Sequence, residues 1–313
     1  MPHSHAHSHP QAPKRRPAQL RRTWLFVAGA DAGAQSAGLD AHPDVLVPDL
    51  EDFTPLPLRP RGREMVLGLL EKARKRGIIA AVRVNPLASE GRNDLAVVMQ
   101  ARPEVVLLPK TAAPEQVVEL ERVIAEHERR LVIPTGSTEI VPNVESAAGL
   151  VATYAIAKAS KRVSACLVGS EDLSADLGAE RTRDGAELAY VRSRFLVDCV
   201  AASVVAIDVP YTFSDIEGAR ADTLQGRRLG YHAKSVVSAR HVEVVNDVLT
   251  PTAEALERAR RLVAAFESAR AAGRDRVEHE GALVEVPTYL SAKRLIARAE
   301  ALAQFASRSA PAH

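Results

Sequence analysis

Residues 105–144 read VVLLPKTAAPEQVVELERVIAEHERRLVIPTGSTEIVPNV, two apolar runs joined by one long amphipathic stretch. The first run is Val105–Leu108 and the second is Ile140–Val144, with a helical pattern over Pro114–Glu128 between them. Short, nearly continuous apolar strands that alternate with helices are typical of a parallel sheet buried on both faces. This stretch therefore predicts one strand–helix–strand unit of an α/β fold.

The same alternation of apolar runs and helical patterns extends along the chain in both directions. Six further apolar runs are Trp24–Ala28, Val45–Pro48, Ile79–Val84, Val163–Val168, Val204–Val209 and Ser235–Val237. Helical patterns between the runs include Arg61–Arg76, Ala147–Ala159, Glu187–Ala202 and Asp215–Arg228. Eight such units predict a (β/α)₈ TIM barrel. A doubly wound open sheet is the alternative, but no GxGxxG follows the first strand, so a dinucleotide-binding fold has no support.

Both ends of the chain differ from the predicted barrel at residues 20–250. Residues 1–19 are rich in His, Pro and basic residues and lack apolar periodicity, which predicts a disordered tail. The tail histidines could bind a transition metal, separately from any catalysis; they are His3, His5, His7 and His9. Residues 251–313 form a predicted helix–loop–helix extension, with helices over Thr252–Ala271 and after Pro287, separated by the glycine- and charge-rich AAGRDRVEHEG. We expect this extension to serve as a lid or a subunit contact.

Composition excludes several classes of protein. The 313 residues are 46% hydrophobic and 26% charged, which argues against global disorder. With 41 basic and 39 acidic residues, the net charge of +2 offers no strong field for nucleic acid or a membrane surface. No apolar run approaches the roughly 18 residues of a membrane-spanning helix. The two cysteines, Cys166 and Cys199, lie in apolar segments and predict no disulfide scaffold, so we expect a cytoplasmic protein.

Charged residues follow nearly every predicted strand. Since the βα loops of a barrel converge at the carboxyl ends of its strands, these residues should share one rim. They are Asp49, Glu51, Asp52, Arg83, Lys110, Glu145, Glu171, Asp172 and Asp208. Arg83 stands inside an apolar run and Lys110 directly follows one, and buried charges of that kind require partners. The pattern predicts a rim of paired opposite charges able to bind an anionic substrate.

The acids of the rim also indicate a cation. Carboxylate oxygens without His or Cys suit Mg²⁺ rather than Zn²⁺, and such sites use one or two carboxylates together with water and substrate. Glu145 and Asp172 follow neighbouring strands and are the predicted direct ligands.

The motifs at these positions are ordered along the chain. Arg22–Gly29 reads RTWLFVAG, Asp49–Asp52 reads DLED, Arg83–Asn85 reads RVN, Leu108–Lys110 reads LPK, and Val144–Gly149 reads VESAAG. GSEDL begins at Gly169 and is followed by ADLG. From about Arg22 to Leu302 the chain resembles the citrate lyase β-subunit-like branch of the HpcH/HpaI aldolase superfamily.

The resemblance implies a Mg²⁺-dependent carbon–carbon lyase that cleaves or forms a 3-hydroxyacyl thioester, usually of coenzyme A, such as malyl-, citramalyl- or citryl-CoA. It implies Glu145 and Asp172 as metal ligands and a catalytic, substrate-binding Arg83. The acids of DLED, Asp49 together with the catalytic Glu51 and Asp52, would orient metal-bound water and the Arg83 side chain. Other substrate-binding residues would be Arg22, Gly29 and Lys110. Relatives are often trimers or hexamers, which implies a homo-oligomer.

Two departures from the family pattern affect the expected chemistry. Relatives with a C-terminal lid place an Asp of Gly-x-Met-Ile-Asp-x-Pro in a neighbouring subunit's site; Gly281–Pro287 reads GALVEVP, which puts Glu285 there. Glu285 is either the catalytic proton-transfer group or an exposed acid at a helix entry. The family's Gly-Lys-x-x-Ile-His-Pro-x-Gln corresponds to AKSVVSARH at Ala233–His241, which retains Lys234 only.

Three functions remain open on the sequence. The first is the thioester lyase, and the second is a metal-dependent aldolase that acts on free hydroxy-oxoacids. The third is a non-catalytic barrel that binds a metal–oxoacid complex, which the altered eighth-strand motif would suit.

Overall fold

A computed structural model describes residues 15–309 of the chain. Eight parallel strands close into a barrel in the order β1 to β8, with β1 also paired to β8. The strands are β1 Thr23–Ala28, β2 Val45–Asp49, β3 Ile79–Arg83, β4 Val105–Leu108, β5 Glu139–Val144, β6 Ala165–Val168, β7 Val205–Asp208 and β8 Ala233–Val236. The predicted (β/α)₈ barrel is confirmed, and the open sheet is wrong.

Helices surround the barrel. They are α1 Ala32–Asp40, α2 Arg59–Lys75, α3 Gly91–Val98, α4 Pro114–Arg130, α5 Ala147–Val151, α6 Thr153–Lys158, α7 Glu171–Leu177, α8 Ala189–Ala202, α9 Ile216–Leu229, α10 Val242–Leu249, α11 Ala253–Ala271 and α12 Val286–Ser309. Local chemistry marks several helix starts. The carboxylates of Asp31 and Asp215 accept from the first free backbone N–H groups of α1 and α9, and Pro114 occupies the first turn of α4.

One predicted helix is two helices. The sequence predicts a single helix over Ala147–Ala159, but it breaks at Ala152, between α5 and α6. The hydroxyl of Thr153 donates to the carbonyls of Gly149 and Leu150 at 3.1 and 2.9 Å. A threonine that bonds back to the preceding turn competes with the backbone ladder and bends a helix.

Alternation along each strand sorts the side chains into two cores. The barrel interior is filled by the side chains of one parity; they are Trp24, Phe26, Val45, Val47, Ile79, Ala81, Val105, Leu107, Val141, Ala165, Leu167, Ile207 and Ala233. Side chains of the other parity join the larger core between strands and helices. Continuing the inward parity to the carboxyl ends of the strands leads to Asp49, Arg83, Glu145 and Gly169.

The segment before β1 is anchored to the amino end of the barrel. Arg15 lies 3.0 Å from Glu139 in an ion pair, and Arg21 makes two hydrogen bonds to the same carboxylate at 2.6 and 3.0 Å. Residues 15–19 therefore do not belong to the predicted disordered tail, because their arginines are held by barrel acids. The tail histidines lie outside the described residues.

The C-terminal extension consists of α11, a hairpin and α12, and it leaves from the same amino end. Arg298 of α12 donates to the carbonyls of Gln19 and His232, both of which precede a barrel strand. The glycine- and charge-rich break was expected to be irregular, but β9 Val277–His279 pairs with β10 Ala282–Val284. Glu280 and Gly281 form its two-residue turn with φ of 49° and 76°, the combination that type I′ hairpins require.

Within residues 15–309, no helix combines the length and apolarity needed to cross a bilayer.

Candidate active site

A cavity of about 390 Å³ opens at the carboxyl ends of the strands. Its lining includes four charged residues, Asp52, Arg83, Glu145 and Asp172. Its apolar lining residues are Phe26, Phe53, Leu167, Pro210 and Val237. A mostly apolar concave site with a few convergent polar groups is the usual form of a small-molecule site.

Arg83 is held at the floor of the cavity by a two-pronged pair with Asp49. Its Nε and Nη2 donate to the two carboxylate oxygens at 2.8 and 2.6 Å, and Asp49 is fully buried. Glu51 and Asp52 lie 3.4 and 3.5 Å from the guanidinium. Burial alone would lower the pKa of Arg83, but the adjacent carboxylates, Asp49 above all, outweigh burial and raise it. Arg83 is therefore a fixed positive charge in the cavity.

Glu145 is positioned by two close backbone approaches. The backbone N–H of Lys110 donates to its Oε1 at 2.5 Å. A Cβ added to Gly169 would lie 2.8 Å from the Oε2 of Glu145 and 2.9 Å from the Cβ of Glu145, so only glycine leaves room for this rotamer of Glu145. Burial raises the pKa of Glu145 to about 7, although Arg83 acts in the opposite direction.

Asp172 faces the same space from the first turn of α7. Its Oδ2 is buried without a hydrogen-bond partner, and the Lys110 ammonium lies 3.5 Å away. The same ammonium contacts Glu51 and lies 3.4 Å from Asp52. Burial raises the pKa of Glu51 even though Arg83 and Lys110 act against it. The cluster therefore contains more carboxylate than its two cations neutralise.

The donor set fits a hard dication that keeps other ligands. Within residues 15–309, no three His, Cys, Asp or Glu side chains are grouped so as to hold a metal by themselves. Glu145 and Asp172 both line the cavity, and they are close enough that the charge of Asp172 contributes to the raised pKa of Glu145. Mg²⁺ is ordinarily held by one or two carboxylates, with water or substrate in its remaining positions. The Oδ2 of Asp172, which accepts no hydrogen bond, is an available ligand atom.

The other predicted site residues fall into two groups. Glu51, Asp52, Arg83 and Lys110 lie together with Glu145 and Asp172. Three predicted residues do not lie with them; they are Arg22, Gly29 and Glu285.

Arg22 lies at the other end of the barrel, because it precedes β1. Its guanidinium binds Asp44 at 2.9 and 3.0 Å and Thr250 at 2.6 Å. The expectation that Arg22 binds substrate is therefore corrected to an anchoring role.

Gly29 is buried, and its backbone groups are used within the chain. Its N–H donates to Thr54 at 2.9 Å, and its carbonyl accepts from Gln35 at 2.7 Å. A Cβ there would meet Leu50 at 2.8 Å and the Asp49 carbonyl at 2.9 Å. Gly29 therefore packs the β1 and β2 ends together rather than presenting groups to substrate.

Glu285 is exposed just before α12, in the extension at the amino end of the barrel. It does not line the cavity of its own chain.

Asp208 was expected at the rim but faces outward. Arg192 of α8 binds it with two hydrogen bonds at 2.9 and 2.6 Å, and Lys234 of β8 donates to it at 3.2 Å. Asp222 of α9 completes the buried cluster through Arg192 at 2.8 Å and through Lys234. Asp208 and Lys234 therefore join two strands to two helices, and neither reaches the cavity.

Two contributions to the site had no role assigned from the sequence. Gly169 makes room for Glu145, and Phe26 and Phe53 supply apolar lining, with the Arg83 guanidinium 5.2 Å from the Phe26 ring centre. Of the DLED acids that the resemblance implies as orienting groups, Asp49 makes the direct hydrogen bonds to Arg83. Strand parity agrees with this, since Val45, Val47 and Asp49 alternate toward the interior.

The fold and site together define a class of TIM-barrel protein with paired carboxylates beside a buried arginine. Residues 22–239 match the family model of the HpcH/HpaI aldolase/citrate lyase family, and the chain belongs to that family. Citrate lyase subunit beta of Haemophilus influenzae is 33% identical over 90% of this chain and 98% of its own length.

A second relative is named for a different reaction. The (3S)-malyl-CoA thioesterase of Cereibacter sphaeroides is 29% identical over 91% of this chain and 96% of its own length. Among solved structures, CitE of Mycobacterium tuberculosis in complex with magnesium, acetoacetate and coenzyme A aligns with a TM-score of 0.70 at 26% identity. That alignment covers 89% of this chain and 98% of the other.

Proposed function

We propose that this protein is a Mg²⁺-dependent carbon–carbon lyase that cleaves a 3-hydroxyacyl thioester into a 2-oxoacid and a shorter acyl thioester, or runs the reverse condensation. The observation that carries the proposal is the convergence of Glu145 and Asp172 beside Arg83 in one cavity. Family membership supports the lyase class, and the neighbour that binds magnesium, acetoacetate and coenzyme A supports the ligand types.

Glu145 and Asp172 are the proposed Mg²⁺ ligands. When bound, the ion supplies Lewis-acid stabilisation of the substrate's hydroxyl and carboxylate oxygens. Glu145 is fixed in rotamer by the Lys110 N–H and by the absence of a Cβ at Gly169, so its ligand oxygen needs no reorganisation. Pre-positioned ligands of this kind are the chain's own contribution to the metal site.

Arg83 is the proposed electrostatic catalyst. Cleavage removes the hydroxyl proton, breaks the bond between the hydroxyl-bearing carbon and the carbon next to the thioester, and leaves that electron pair on a thioester enolate. Asp49 occupies Nε and Nη2, so Nη1, which has only a 3.4 Å ion pair to Glu51, is the edge that can meet growing negative charge. A donor fixed before reaction stabilises such charge without reorientation. Glu51 and Asp52 hold Arg83 and Lys110 in place.

Proton transfer is assigned to Glu285 of a neighbouring copy in a homo-oligomer, a trimer or hexamer. Glu285 belongs to an extension at the amino end of its own barrel, whereas the cavity is at the carboxyl end. Its carboxyl can take part only if one chain's extension reaches another chain's cavity. A cytoplasmic location is part of the same proposal.

Product analysis separates this function from its alternatives. Purified protein with Mg²⁺ is given malyl-, citramalyl- or citryl-CoA, and the 2-oxoacid and the free thiol are measured in parallel. Oxoacid release without thiol supports the lyase; thiol without oxoacid indicates a thioesterase. Cleavage of free 4-hydroxy-2-oxoacids alone indicates an aldolase. Binding of pyruvate or oxaloacetate with no turnover of any substrate indicates a non-catalytic barrel.

A further inference from the structure

Lys110 has a backbone conformation that lysine rarely adopts. Its φ is 49°, in the left-handed region, where a side chain costs conformational energy and glycine does not. This conformation points its N–H at Glu145, which accepts at 2.5 Å. The next N–H, of Thr111, donates to the Asn143 carbonyl at 2.9 Å and thereby fixes the turn to β5. The backbone of this turn would favour glycine, yet the residue here is a lysine.

The Lys110 side chain is surrounded by carboxylates from two parts of the barrel mouth. Its Nζ contacts Glu51 and lies 3.4 Å from Asp52 and 3.5 Å from Asp172. Glu51 and Asp52 follow β2, whereas Asp172 follows β6, on the far side of the cavity mouth. Burial would lower the pKa of Lys110, but hydrogen bonding to Glu51 and attraction to all three carboxylates outweigh it and raise the pKa. The side chain is therefore a permanent positive charge.

We propose that Lys110 has two separable positioning roles. Its backbone N–H sets the rotamer of Glu145, and its ammonium is the internal counter-ion of the Glu51, Asp52 and Asp172 carboxylates. The ammonium thereby weakens the binding of a free dication and favours a dication that arrives with an anionic oxoacid. This inference rests on the proposed function, because it takes Glu145 and Asp172 as the metal ligands.

Coulomb's law gives the direction of the effect. A dication held by Asp172 would lie within a few ångströms of the ammonium, and two cations at that separation repel strongly even when partly screened. A substrate carboxylate between them would be attracted to both. The ammonium therefore opposes Mg²⁺ alone and supports Mg²⁺ with an oxoacid, which is positive coupling between two ligands.

The test measures Mg²⁺ binding by calorimetry, with and without pyruvate, in wild type and three variants. Lys110→Met should bind Mg²⁺ alone at least tenfold more tightly than wild type, and pyruvate should strengthen its Mg²⁺ binding by a smaller factor. Lys110→Gly should give the same Mg²⁺ result and a higher Tm than Lys110→Met, because both variants lose the ammonium but only glycine relieves the left-handed strain. Lys75→Met is the matched control; it removes an exposed lysine paired with Glu71 on α2 and should leave both affinities unchanged.

The possible results test the proposed metal site and the counter-ion role of Lys110 separately. If wild type binds no Mg²⁺ either alone or with pyruvate, the proposed metal site is wrong. If wild type binds Mg²⁺ but Lys110→Met and Lys110→Gly bind it equally or less tightly, the counter-ion role is wrong while the metal site stands. An unchanged pyruvate effect in both variants would likewise overturn the coupling. Since Lys110→Gly suits the backbone of the turn, it keeps the test decisive if Lys110→Met folds poorly.

Discussion

Asp49 and Arg83 form a two-pronged, buried pair between the ends of β2 and β3, with N–O distances of 2.8 and 2.6 Å. The pair determines which edge of the guanidinium faces the cavity. In Asp49→Asn, the amide presents one acceptor in place of two, so Arg83 loses both its orientation and its neutralising partner. We expect kcat/KM to fall by about 10² or more, the scale of losing a fixed anion-stabilising donor.

The same variant should lose about 3–5 kcal/mol of unfolding free energy, because a buried charge left without its partner is costly. Urea denaturation measures this loss. Asp40→Asn, which breaks the exposed pair of Asp40 with Arg76, is the control and should change stability by no more than about 1 kcal/mol. Full activity in Asp49→Asn would contradict the assigned orientation of Arg83.

Glu145 and Asp172 should both be needed for metal binding. We expect Glu145→Gln and Asp172→Asn each to weaken Mg²⁺ binding by about 100-fold or more, since an amide oxygen carries no charge to offset the dehydration of the ion. Calorimetry measures the affinity. Asp176→Asn is a control nearby, because the Asp176 carboxylate accepts from the Ala147 N–H at 2.7 Å and caps α5. Turnover that persists in Glu145→Gln or in Asp172→Asn would contradict the assignment of these two residues as metal ligands.

Mg²⁺ affinity should depend on pH through Glu145, whose pKa burial raises to about 7. A proton on this carboxyl competes with the ion, so the association constant should rise about tenfold per pH unit up to pH 7 and level off above it. Titrations at pH 5.5, 6.5, 7.5 and 8.5 measure this. A flat profile would show that the carboxyl ionises lower than burial requires.

The unfolding free energy of the metal-free protein should fall as pH rises, whereas its Mg²⁺ affinity rises. The protonated form of Glu145 is favoured in the folded state, so its contribution is fully present below pH 4.5 and is lost as pH rises through 7. The difference is about 3 kcal/mol for a shift of this size. Denaturation in the presence of a chelator, compared between wild type and Glu145→Gln, isolates this contribution, because the variant lacks the titrating group.

A methyl group at position 169 should disturb the site without altering any charge. In Gly169→Ala the new Cβ would lie 2.8 Å from Glu145 Oε2, so Glu145 must leave its rotamer. We expect Mg²⁺ affinity and kcat to fall by about tenfold or more, as for other supporting positions around metal ligands. Gly68→Ala on α2 is the matched control; its Cβ meets nothing within 4 Å, and it should stabilise the helix by about 0.5–1 kcal/mol.

Glu285 can be tested by mixing two inactive chains. Arg83→Lys and Glu285→Gln should each lose most activity alone. If Glu285 acts in a neighbouring copy's cavity, co-expressed chains should form mixed oligomers in which about a quarter of the sites are intact, because each intact site draws one group from each chain. No recovery in demonstrably mixed oligomers would place the proton-transfer group elsewhere.

The barrel was predictable because its strands are nearly continuous apolar runs and need no tertiary information to be recognised. Val105–Leu108 matches its observed strand at both ends. Strand β8 was harder to predict from the sequence, because Lys234 and Ser235 interrupt its apolar run. Lys234 can lie within this buried strand because it has buried partners such as Asp208, and the local pattern does not reveal them. The hairpin of the extension was missed because its strands have three residues each, too few for alternation to stand out.

The charged rim was predictable in part. Position after a strand brought Glu145, Asp172 and Lys110 together correctly. It failed for Asp208, whose outward parity sends the carboxylate to Arg192. The resemblance suggested Arg22 as a substrate-binding residue, but Arg22 precedes β1 and lies at the other end of the barrel. The rotamer of Glu145 was beyond sequence reasoning, because it depends on a left-handed lysine and a glycine from two other strands.

The two ends of this barrel have separate tasks. The contacts that anchor the segment before β1 and helix α12 lie at the amino end, whereas the proposed metal ligands and Arg83 lie at the carboxyl end. Changes in the loops that shape substrate choice therefore leave the attachment of the extension intact. Such a division lets selection explore new acyl preferences with little penalty to the packing of the extension on its own barrel.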